Sequence, residues 1–350
     1  MKNRVKAFTG PGTELKAERV GHFFRALAGR EDSKKWCVSH KFSLEKATSE
    51  SGSNQAGGFL APIDFDNAII SVRDTVGAFR NCEVRQARSV SQIRPRRVGG
   101  LTANFVAEGA TIPESSFQLD ALEPSLKKLA ILVRSSTELY EGPAPNLGEF
   151  VASEMGYALA ATEDDCGFNG DGTSKYGGIS GLGTKLVGTQ SAIAAASTHK
   201  TFLTIDSTDI ANLMSGVLST AIPGAHWYVS ALGFAQTLCR LAAVSGGLTA
   251  TKNPDGTIDA SYLGFPVSFS AKLPNVTTSL AGLPMLFFGN LKMSSVLVER
   301  NEAMIIATSL HRAMDADQVL IRATRREDII NHTVGDAANY GAVAMLTGTS

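Results

Sequence analysis

Apolar side chains in the middle of the chain recur at helical spacing over residues 146–167. Asn146, with Glu149 three residues later, matches the capping box that starts many helices. Gly167 and Gly170 follow, and glycine commonly ends a helix. At about 1.5 Å per residue such a helix is about 30 Å long, enough to cross a domain. The spacing predicts one long helix at the centre of the fold. Its apolar face holds Leu147, Phe150, Val151, Met155, Leu159 and Thr162.

Three carboxylates are predicted at the C-terminal end of this helix, where the helix dipole disfavours negative charge. They are Glu163, Asp164 and Asp165. We therefore expect cations close to them, and a neighbouring chain is a candidate source. The glycine-rich segment 169–173 follows. It offers too few oxygen ligands for a calcium site, which needs about six to eight, and it predicts a tight turn with glycines at positive φ.

The flanking patterns predict a mixture of helices and strands. A helix is expected from Asp64 to Val76, strand material over 81–98, and alternating helices and strands over about 205–285. A meander of strands closes the chain, so the fold class is α+β. The segment 99–126 is long and mostly polar, which suits an extended hairpin whose partners lie on another molecule. Residues 13–28 predict a helix within a basic N-terminal segment.

The overall composition is that of a folded protein without a global affinity for nucleic acid. The 350 residues are 43% hydrophobic and 19% charged, and the formal net charge is zero. Residues 1–50 are locally basic, with eleven Lys and Arg against six Asp and Glu. Four cysteines without CxxC spacing indicate a reducing compartment. No apolar run approaches the length of a membrane span.

The sequence lacks the motifs of common enzymes. GxSxG, HExxH, the P-loop and a GxGxxG after a strand are all missing. Cys166 follows three carboxylates, which should raise its pKa and make it a poor nucleophile. Arg325 and Arg326 beside Glu327 and Asp328 form a mixed charged run, interpreted either as a solvated strand end or as an intersubunit salt-bridge network. The absence of catalytic constellations, together with a projecting loop and an N-terminal arm without an evident fold of its own, points to assembly.

Several short motifs occur in a fixed order along the chain. They are GGFLAP at 57–62, FVAEG at 105–109 with Ser115, SSTEL at 135–139, Glu163-Asp164, NGDGT at 169–173, Gly178-Ile179, LGFPV at 263–267, Phe288-Gly289 and VLIR at 319–322. In this order and spacing the chain resembles the tailed-bacteriophage major capsid proteins, whose fold is shared with encapsulin shells. The resemblance covers about residues 55–330.

The resemblance implies a phage-capsid fold. Such a fold has a peripheral domain that carries a long spine helix, an extended E-loop hairpin, an N-terminal arm and an α/β axial domain. Residues 99–126 contain no Lys, so covalent crosslinking through an E-loop lysine is not expected.

The resemblance also gives expected domain boundaries. Residues 1–55 form the arm or the remnant of a scaffold segment, and residues 56–183 form the peripheral domain, with the E-loop at about 93–130 and the spine helix at 146–167. Residues 184–285 form the axial domain, residues 286–335 return to the peripheral domain, and residues 336–350 form a C-terminal tail.

The resemblance also implies a function. We expect a structural, non-enzymatic protein that self-assembles into the pentamers and hexamers of an icosahedral shell around double-stranded DNA, which it contacts non-specifically. A scaffolding protein and a portal are expected partners, and neither a membrane, a metal nor a cofactor is expected. Assembly would occur in the bacterial host cytoplasm, and the product would be the virion. The alternatives are an encapsulin-like compartment shell that houses a cargo enzyme and, as a weaker hypothesis, an enzyme that uses the loop around Asp171.

Charged side chains are the candidates for contacts between subunits. Because an exposed ion pair contributes only about 0–1 kcal/mol, many pairs must act together across a shell. Cations at the base of the E-loop are expected to meet the acidic end of a neighbour's spine helix. The candidate residues are Arg94, Arg96, Arg97, Lys127 and Lys128 as donors, Glu163, Asp164 and Asp165 as acceptors, and Arg325 and Arg326.

Overall fold

The computed structural model describes residues 5–40, 59–87, 94–99, 103–106, 109, 111–116, 118–245, 247, 249–252, 258–309 and 316–349. Its helices are α1 (Thr13–Leu27), α2 (Glu31–Ser39), α3 (Ile63–Val76), α4 (Ala144–Asn169), α5 (Leu182–Lys185), α6 (Ser207–Ser215), α7 (Ala231–Gly233), α8 (Arg240–Ser245) and α9 (Leu291–Ser294). A π-helical turn, Phe234–Cys239, joins α7 to α8.

The strands form two large sheets and a separate hairpin. Their bounds are β1 (Phe59–Leu60), β2 (Glu83–Ala87), β3 (Arg94–Gly99), β4 (Gln118–Leu122), β5 (Lys127–Ser136), β6 (Ala192–Ala194), β7 (His226–Val229), β8 (Ala250–Lys252), β9 (Ile258–Tyr262), β10 (Phe265–Phe269), β11 (Pro284–Gly289), β12 (Ser295–Arg300), β13 (Ile305–Ser309), β14 (Gln318–Asn331) and β15 (Val343–Thr347). The pairing of β3 with β4 makes the hairpin that the sequence predicted.

The first sheet is organised on the long strand β14. Strand β5 pairs antiparallel with residues 318–327 of β14, while β12 and β13 pair antiparallel with residues 327–331 and 320–324. Alternate residues of β14, such as Val319, Ile321 and Ala323, point into a core that also contains side chains of α1, α3 and α4. The sheet therefore has one face covered by helices.

The second sheet follows the order β6-β15-β11-β7-β10-β9-β8. Strand β15 lies inside this sheet, parallel to β6 and antiparallel to β11, and Val343 to Leu346 are buried. The expected C-terminal tail at 336–350 is therefore wrong over residues 343–347. An apolar run of this length suits a strand that is buried on both faces. Strand β11, which overlaps the boundary expected at 285, belongs to the same sheet.

Phe168 at the end of α4 lies in a core that also holds Leu297 and Ile329 of the first sheet and Phe287 of the second. Phe168 packs edge to face on Phe79, with ring centroids 5.2 Å apart, and lies 5.3 Å from Phe287 of β11. All three rings are fully buried. The C-terminal end of α4 is thus fixed between the sheets.

The N-terminal end of α4 differs from the prediction. The helix begins at Ala144 after Pro143, and a proline in its first turn suits the missing N–H of that position. Asn146 lies inside the helix, so the predicted N-cap is wrong. The Glu149 carboxylate instead accepts hydrogen bonds from the backbone N–H groups of Ala7 (2.5 Å) and Phe8 (3.3 Å).

The N-terminal segment is packed on the core instead of forming the expected arm, since α1 lies against α4 and α2 lies against α1. Val20, Phe23 and Phe24 of α1 are buried in the first core, on the face that the sequence predicted. The backbones of α1 and α4 touch through glycines. A Cβ atom on Gly21 would lie 1.8 Å from the carbonyl oxygen of Ala144, and one on Gly148 would lie 2.2 Å from that of Ala17.

This close helix contact predicts that Gly21→Ala destabilises the subunit. Alanine favours a helix over glycine by about 1 kcal/mol, but the added methyl group must push α1 away from α4. We expect the free energy of unfolding to fall by about 1–3 kcal/mol, as for other overpacked cores. Urea unfolding followed by circular dichroism measures the change.

A control for this variant is Leu15→Ala on the exposed side of α1. It should change the free energy of unfolding by less than about 0.5 kcal/mol. A Gly21→Ala subunit as stable as the wild type would contradict the backbone contact between the two helices.

Candidate assembly surfaces and the buried charge cluster

Strand alternation divides the charged run 325–328 between the two faces of the first sheet. Arg325 and Glu327 point to the covered face and are buried, whereas Arg326 points outward and is exposed. Arg325 donates hydrogen bonds to Glu299 (2.8 Å) and Asp66 (3.1 Å). The interpretation of this run as a solvated strand end is therefore wrong. The interpretation as an intersubunit contact is also wrong for Arg325, which is bound within its own chain.

Two arginines from α3 and the turn after it meet Glu163 of α4 in the core. Arg73 donates from Nε to Glu163 (2.6 Å) and from Nη2 to Glu327 (3.0 Å). Arg80 donates from Nη1 to Glu163 (3.2 Å) and to Glu299 (2.8 Å). The buried charge cluster consists of Arg73, Arg80, Arg325, Glu163, Glu299 and Glu327, and all six residues are buried.

The chain itself therefore supplies the cations that the acidic end of α4 needs. Glu163 is buried within the cluster. Asp164 is buried as well, and it accepts hydrogen bonds from the backbone N–H of Phe79 (2.8 Å) and the Ser270 hydroxyl (2.6 Å). The prediction that these two side chains accept cations from a neighbour is wrong. Asp165 is half-buried, with Lys272 of the same chain 3.9 Å away.

The environment of each carboxyl group sets its pKa. Burial opposes ionisation of Glu299, but Arg73, Arg325 and Arg80 outweigh it and lower its pKa to about 2. Burial, reinforced by the negative charge of Glu163, raises the pKa of Glu327 against the attraction of Arg73. Burial also raises the pKa of Asp164 to about 6, although hydrogen bonds from Ser270 and Phe79 favour its charged form. The cluster is thus a network of paired charges whose members ionise unequally.

The outer face of the first sheet carries exposed cations. Because directly paired residues in an antiparallel ladder share a face, Lys128 lies beside Arg326, Leu132 beside Arg322, and Arg134 beside Leu320. The basic face is defined by the exposed side chains of Lys128, Leu132, Arg134, Arg322 and Arg326. None of its four cations forms an ion pair with a carboxylate in the part of the chain that the structure describes.

The other predicted contact residues lie at the base of the hairpin. Arg94, Arg96 and Arg97 are in β3, opposite residues of β4, and their side chains lie outside the described part. Lys127 is half-buried, and its Nζ donates to the Ser125 hydroxyl (2.9 Å). The backbone N–H of Ser125 in turn donates to Asp328 (2.7 Å), which ties the hairpin to β14.

The groups that could carry chemistry have structural partners in this chain. Asp171 accepts a hydrogen bond from the backbone N–H of Thr173 (2.8 Å). Gly172 has the positive φ predicted for a tight turn, whereas Gly170, at the C-terminal end of α4, has φ −51°. Cys166 is buried, and burial, with help from Glu327 and Asp165, raises its pKa to about 11. The direction is the predicted one, but burial is the main cause.

One group of possible metal ligands occurs among the described residues: His199, Asp206 and Asp209. Asp206 and Asp209 form the capping box of α6, and Asp209 also accepts from His199 (2.5 Å). Their oxygens are therefore used in local hydrogen bonds. No described helix combines the length and apolarity that a membrane span requires.

Comparison with known proteins identifies the family of this chain. The sequence matches the model of the phage capsid family over residues 57–330. The chain belongs to the phage capsid family. No match was found among curated proteins. As a family member, it is a structural, non-enzymatic capsid shell protein, which confirms that part of the expected function.

Solved capsid structures share the fold at low sequence identity. The capsid of an empty GTA particle is 16% identical, with a TM-score of 0.55 over 90% of this chain and 98% of that one. A chain of Microbacterium phage Oxtober96 is 14% identical, with a TM-score of 0.56 over 91% and 100%. The SrpI encapsulin complex of Synechococcus elongatus PCC 7942 is 13% identical, with a TM-score of 0.50 over 77% and 85%. These likenesses support the phage-capsid fold predicted from the sequence.

Sequence reasoning missed three residues of the buried charge cluster: Arg73, Arg80 and Glu299. The sequence contained one clue, since Arg73 follows Val72 on the apolar face of α3, between Ile69 and Val76. An arginine on a buried helix face needs a buried partner. The partner could not be identified locally, because Glu163 is 90 residues away along the chain.

The cluster predicts that Arg73→Leu strongly destabilises the capsid protein. The variant leaves Glu163, Glu299 and Glu327 buried with fewer cations. The free energy of unfolding should fall by about 3–5 kcal/mol, as when one partner of a buried ion pair is removed. Urea unfolding of unassembled subunits measures it. The matched control Arg134→Leu, on the exposed face of the sheet, should change this value by less than about 0.5 kcal/mol, and an equal loss in both variants would refute the role of the cluster.

Asp164 predicts a pH dependence of stability. Its pKa in the folded state is about 6, above the value of 3.8 for a free side chain, so the folded state binds the proton more tightly. Its stabilising contribution is fully present below pH 4 and is lost as the pH rises through 6. The difference in unfolding free energy between the wild type and Asp164→Asn should therefore fall by about 2 kcal/mol from pH 4 to pH 7.

The control for this titration is Asp171→Asn. Asp171 is exposed, and the hydrogen bonds from Thr173 lower its pKa. The difference in unfolding free energy between the wild type and Asp171→Asn should therefore not fall between pH 4 and pH 7. If the difference in unfolding free energy between the wild type and Asp164→Asn does not change with pH, the buried Asp164 carboxyl group does not have the raised pKa proposed here. Chemical unfolding at each pH provides the measurement.

Proposed function

We propose that this chain is the major capsid protein of a tailed bacteriophage or a prophage, and that it forms the pentamers and hexamers of an icosahedral shell around double-stranded DNA. The match to the phage capsid family over residues 57–330 carries the proposal. The TM-scores of 0.55 and 0.56 with capsid chains that it covers almost completely add support.

The described surface suits a subunit that functions with neighbours. Phe105, Val106 and Ile112 of the loop between β3 and β4 are exposed in the single chain. Such apolar side chains favour burial against another surface. A scaffolding protein and a portal are proposed as further partners, as the resemblance to tailed-bacteriophage capsid proteins implies. Assembly takes place in the host cytoplasm, and DNA is contacted through its phosphates without sequence preference.

An encapsulin-like compartment shell is the second candidate. It is supported by the fold shared with the SrpI encapsulin complex, at a TM-score of 0.50. In that case the shell would contain a cargo enzyme, and no DNA. The packing of α1 on α4 is compatible with either function.

The proposal predicts closed particles that protect DNA. The expressed chain, with the scaffold from its own genome, should form hollow icosahedral shells in negative-stain micrographs. Particles purified from the native host and treated with nuclease should yield double-stranded DNA in an amount that scales with shell protein.

Two other results would redirect or overturn the proposal. Native particles that contain a folded enzyme in constant ratio to the shell protein, without protected DNA, would support the compartment. Subunits that remain folded monomers at every salt concentration, with and without the scaffold, would exclude both shell functions.

A further inference from the structure

Three stacked rings join the two N-terminal helices. The Trp36 ring of α2 lies parallel to the His22 ring of α1, with centroids 4.2 Å apart and planes inclined by 12°. His40, directly after α2, also stacks on Trp36, at 4.0 Å and 18°. The ring stack is defined as His22, Trp36 and His40. Two of its members are histidines, whose charge ordinarily changes between pH 5 and pH 8.

His22 is the member of the stack that other groups enclose. Its Nδ1 lies 3.1 Å from the hydroxyl of Ser33, a fully buried residue of α2, and its Nε2 lies 3.9 Å from the Glu18 carboxylate. Burial lowers the pKa of His22, as does the charge of Arg25; Glu18 opposes this shift, and His40 adds to it. The folded subunit therefore favours the neutral His22 ring.

Helix α2 is attached to the subunit less firmly than α1 is. Among the described helices and strands its main packing partner is α1, and its buried residues are Ser33 and Cys37. Arg30, immediately before α2, pairs with the exposed Glu141. Helix α1, in contrast, buries its apolar face in the first core. The ring stack is thus a large part of what holds α2 in place.

We propose that the ring stack is an acid-sensitive joint, in which protonation of His22 releases α2 from α1 while α1 stays packed on α4. A charged His22 ring in the stack loses part of its hydration and lies near Arg25, whereas the same ring is hydrated once α2 has left. The contact between α1 and α4 consists of apolar side chains and two glycines, none of which changes charge with pH. Acid therefore acts on one joint and leaves the other intact.

The direction of the pH effect follows from the lowered pKa of His22. The docked state disfavours the proton, so docking of α2 is strongest above pH 6.5, the ordinary pKa of histidine, and weakens as the pH falls below it. If the docked ring takes up no proton, the ratio of released to docked α2 rises about thirtyfold from pH 7.5 to pH 5. A docked ring that takes up some of the proton gives a smaller rise, so thirtyfold is the upper limit.

Labelling of Cys37 measures the release, because its side chain has no exposed surface while α2 is docked. The full-length chain with Cys239→Ser, which lacks the half-buried thiol, is treated with a dithiodipyridine reagent. Rates are divided by those of glutathione at the same pH. The corrected rate at Cys37 should rise about tenfold or more from pH 7.5 to pH 5, while Cys82 and Cys166, in another core, stay unlabelled. Equal corrected rates at the two pH values would overturn the proposal.

Two substitutions identify the ring that titrates. His22→Gln keeps a polar side chain that gains no proton in this range, so its corrected Cys37 rate should change less than about threefold. His40→Gln, the matched control on the exposed ring of the stack, should keep most of the response. Circular dichroism verifies the folding of both variants. A response that persists in His22→Gln, or that disappears in His40→Gln alone, would refute His22 as the titrating group.

Hydrogen exchange of the wild-type chain tests the separation of the two joints without a substitution at His22. Helix α2 has nine residues, and a helix this short is marginal by itself in water. After correction for intrinsic exchange, amides of residues 34–39 should lose protection about tenfold or more at pH 5, and those of residues 17–27 should keep it. Loss of protection in both helices together would overturn the proposal, since the segment would then unfold as one unit.

The acid response and the shell function are tested independently, since every measurement of α2 uses unassembled subunits. An acid response in a chain that never forms shells would refute the shell function alone. Normal shells from a chain without the response would refute the acid-sensitive joint alone.

Discussion

Three arginines and three glutamates buried between α3, α4 and the first sheet impose the strongest constraint on this subunit. A charge that leaves water loses a large hydration free energy, and only close, hydrogen-bonded partners offset that loss. Arg73 satisfies three carboxylates from three different elements. Any displacement of α4 along the sheet would separate these groups. The cluster therefore sets the position of the long helix as well as contributing to the core.

The position of α4 then determines the arrangement of the other parts. Its first half holds α1 through the close approach at Gly21 and Gly148, and its last turn places Phe168 between the two sheets. The same helix therefore contributes side chains to the cores beside both sheets. That property suits a capsid protein, since each subunit in a shell bears contacts on several sides.

Features that depend on residues close together in the chain were predicted from the sequence, whereas features that depend on distant residues were not. Helix α3 and the face of α1 with Val20, Phe23 and Phe24 were predicted because helical periodicity is a local property. The predicted N-cap at Asn146 was wrong because Pro143 and Pro145 start the helix earlier, and Glu149 instead binds the N-terminal segment. The order of short motifs predicted the family and fold, which the family match and the capsid structures support.

The sequence by itself determined the long central helix, the α+β class, the extended hairpin and the membership of a shell-forming family. These features depend on periodicity, composition and motif order, all of which are readable along the chain. Only the tertiary structure decided which charges face inward. The run 325–328 divides between the two sheet faces by strand alternation, and the acidic end of α4 finds its arginines about one quarter of the chain away. A charge has no local period, so its partner is identified only when the fold brings distant elements together.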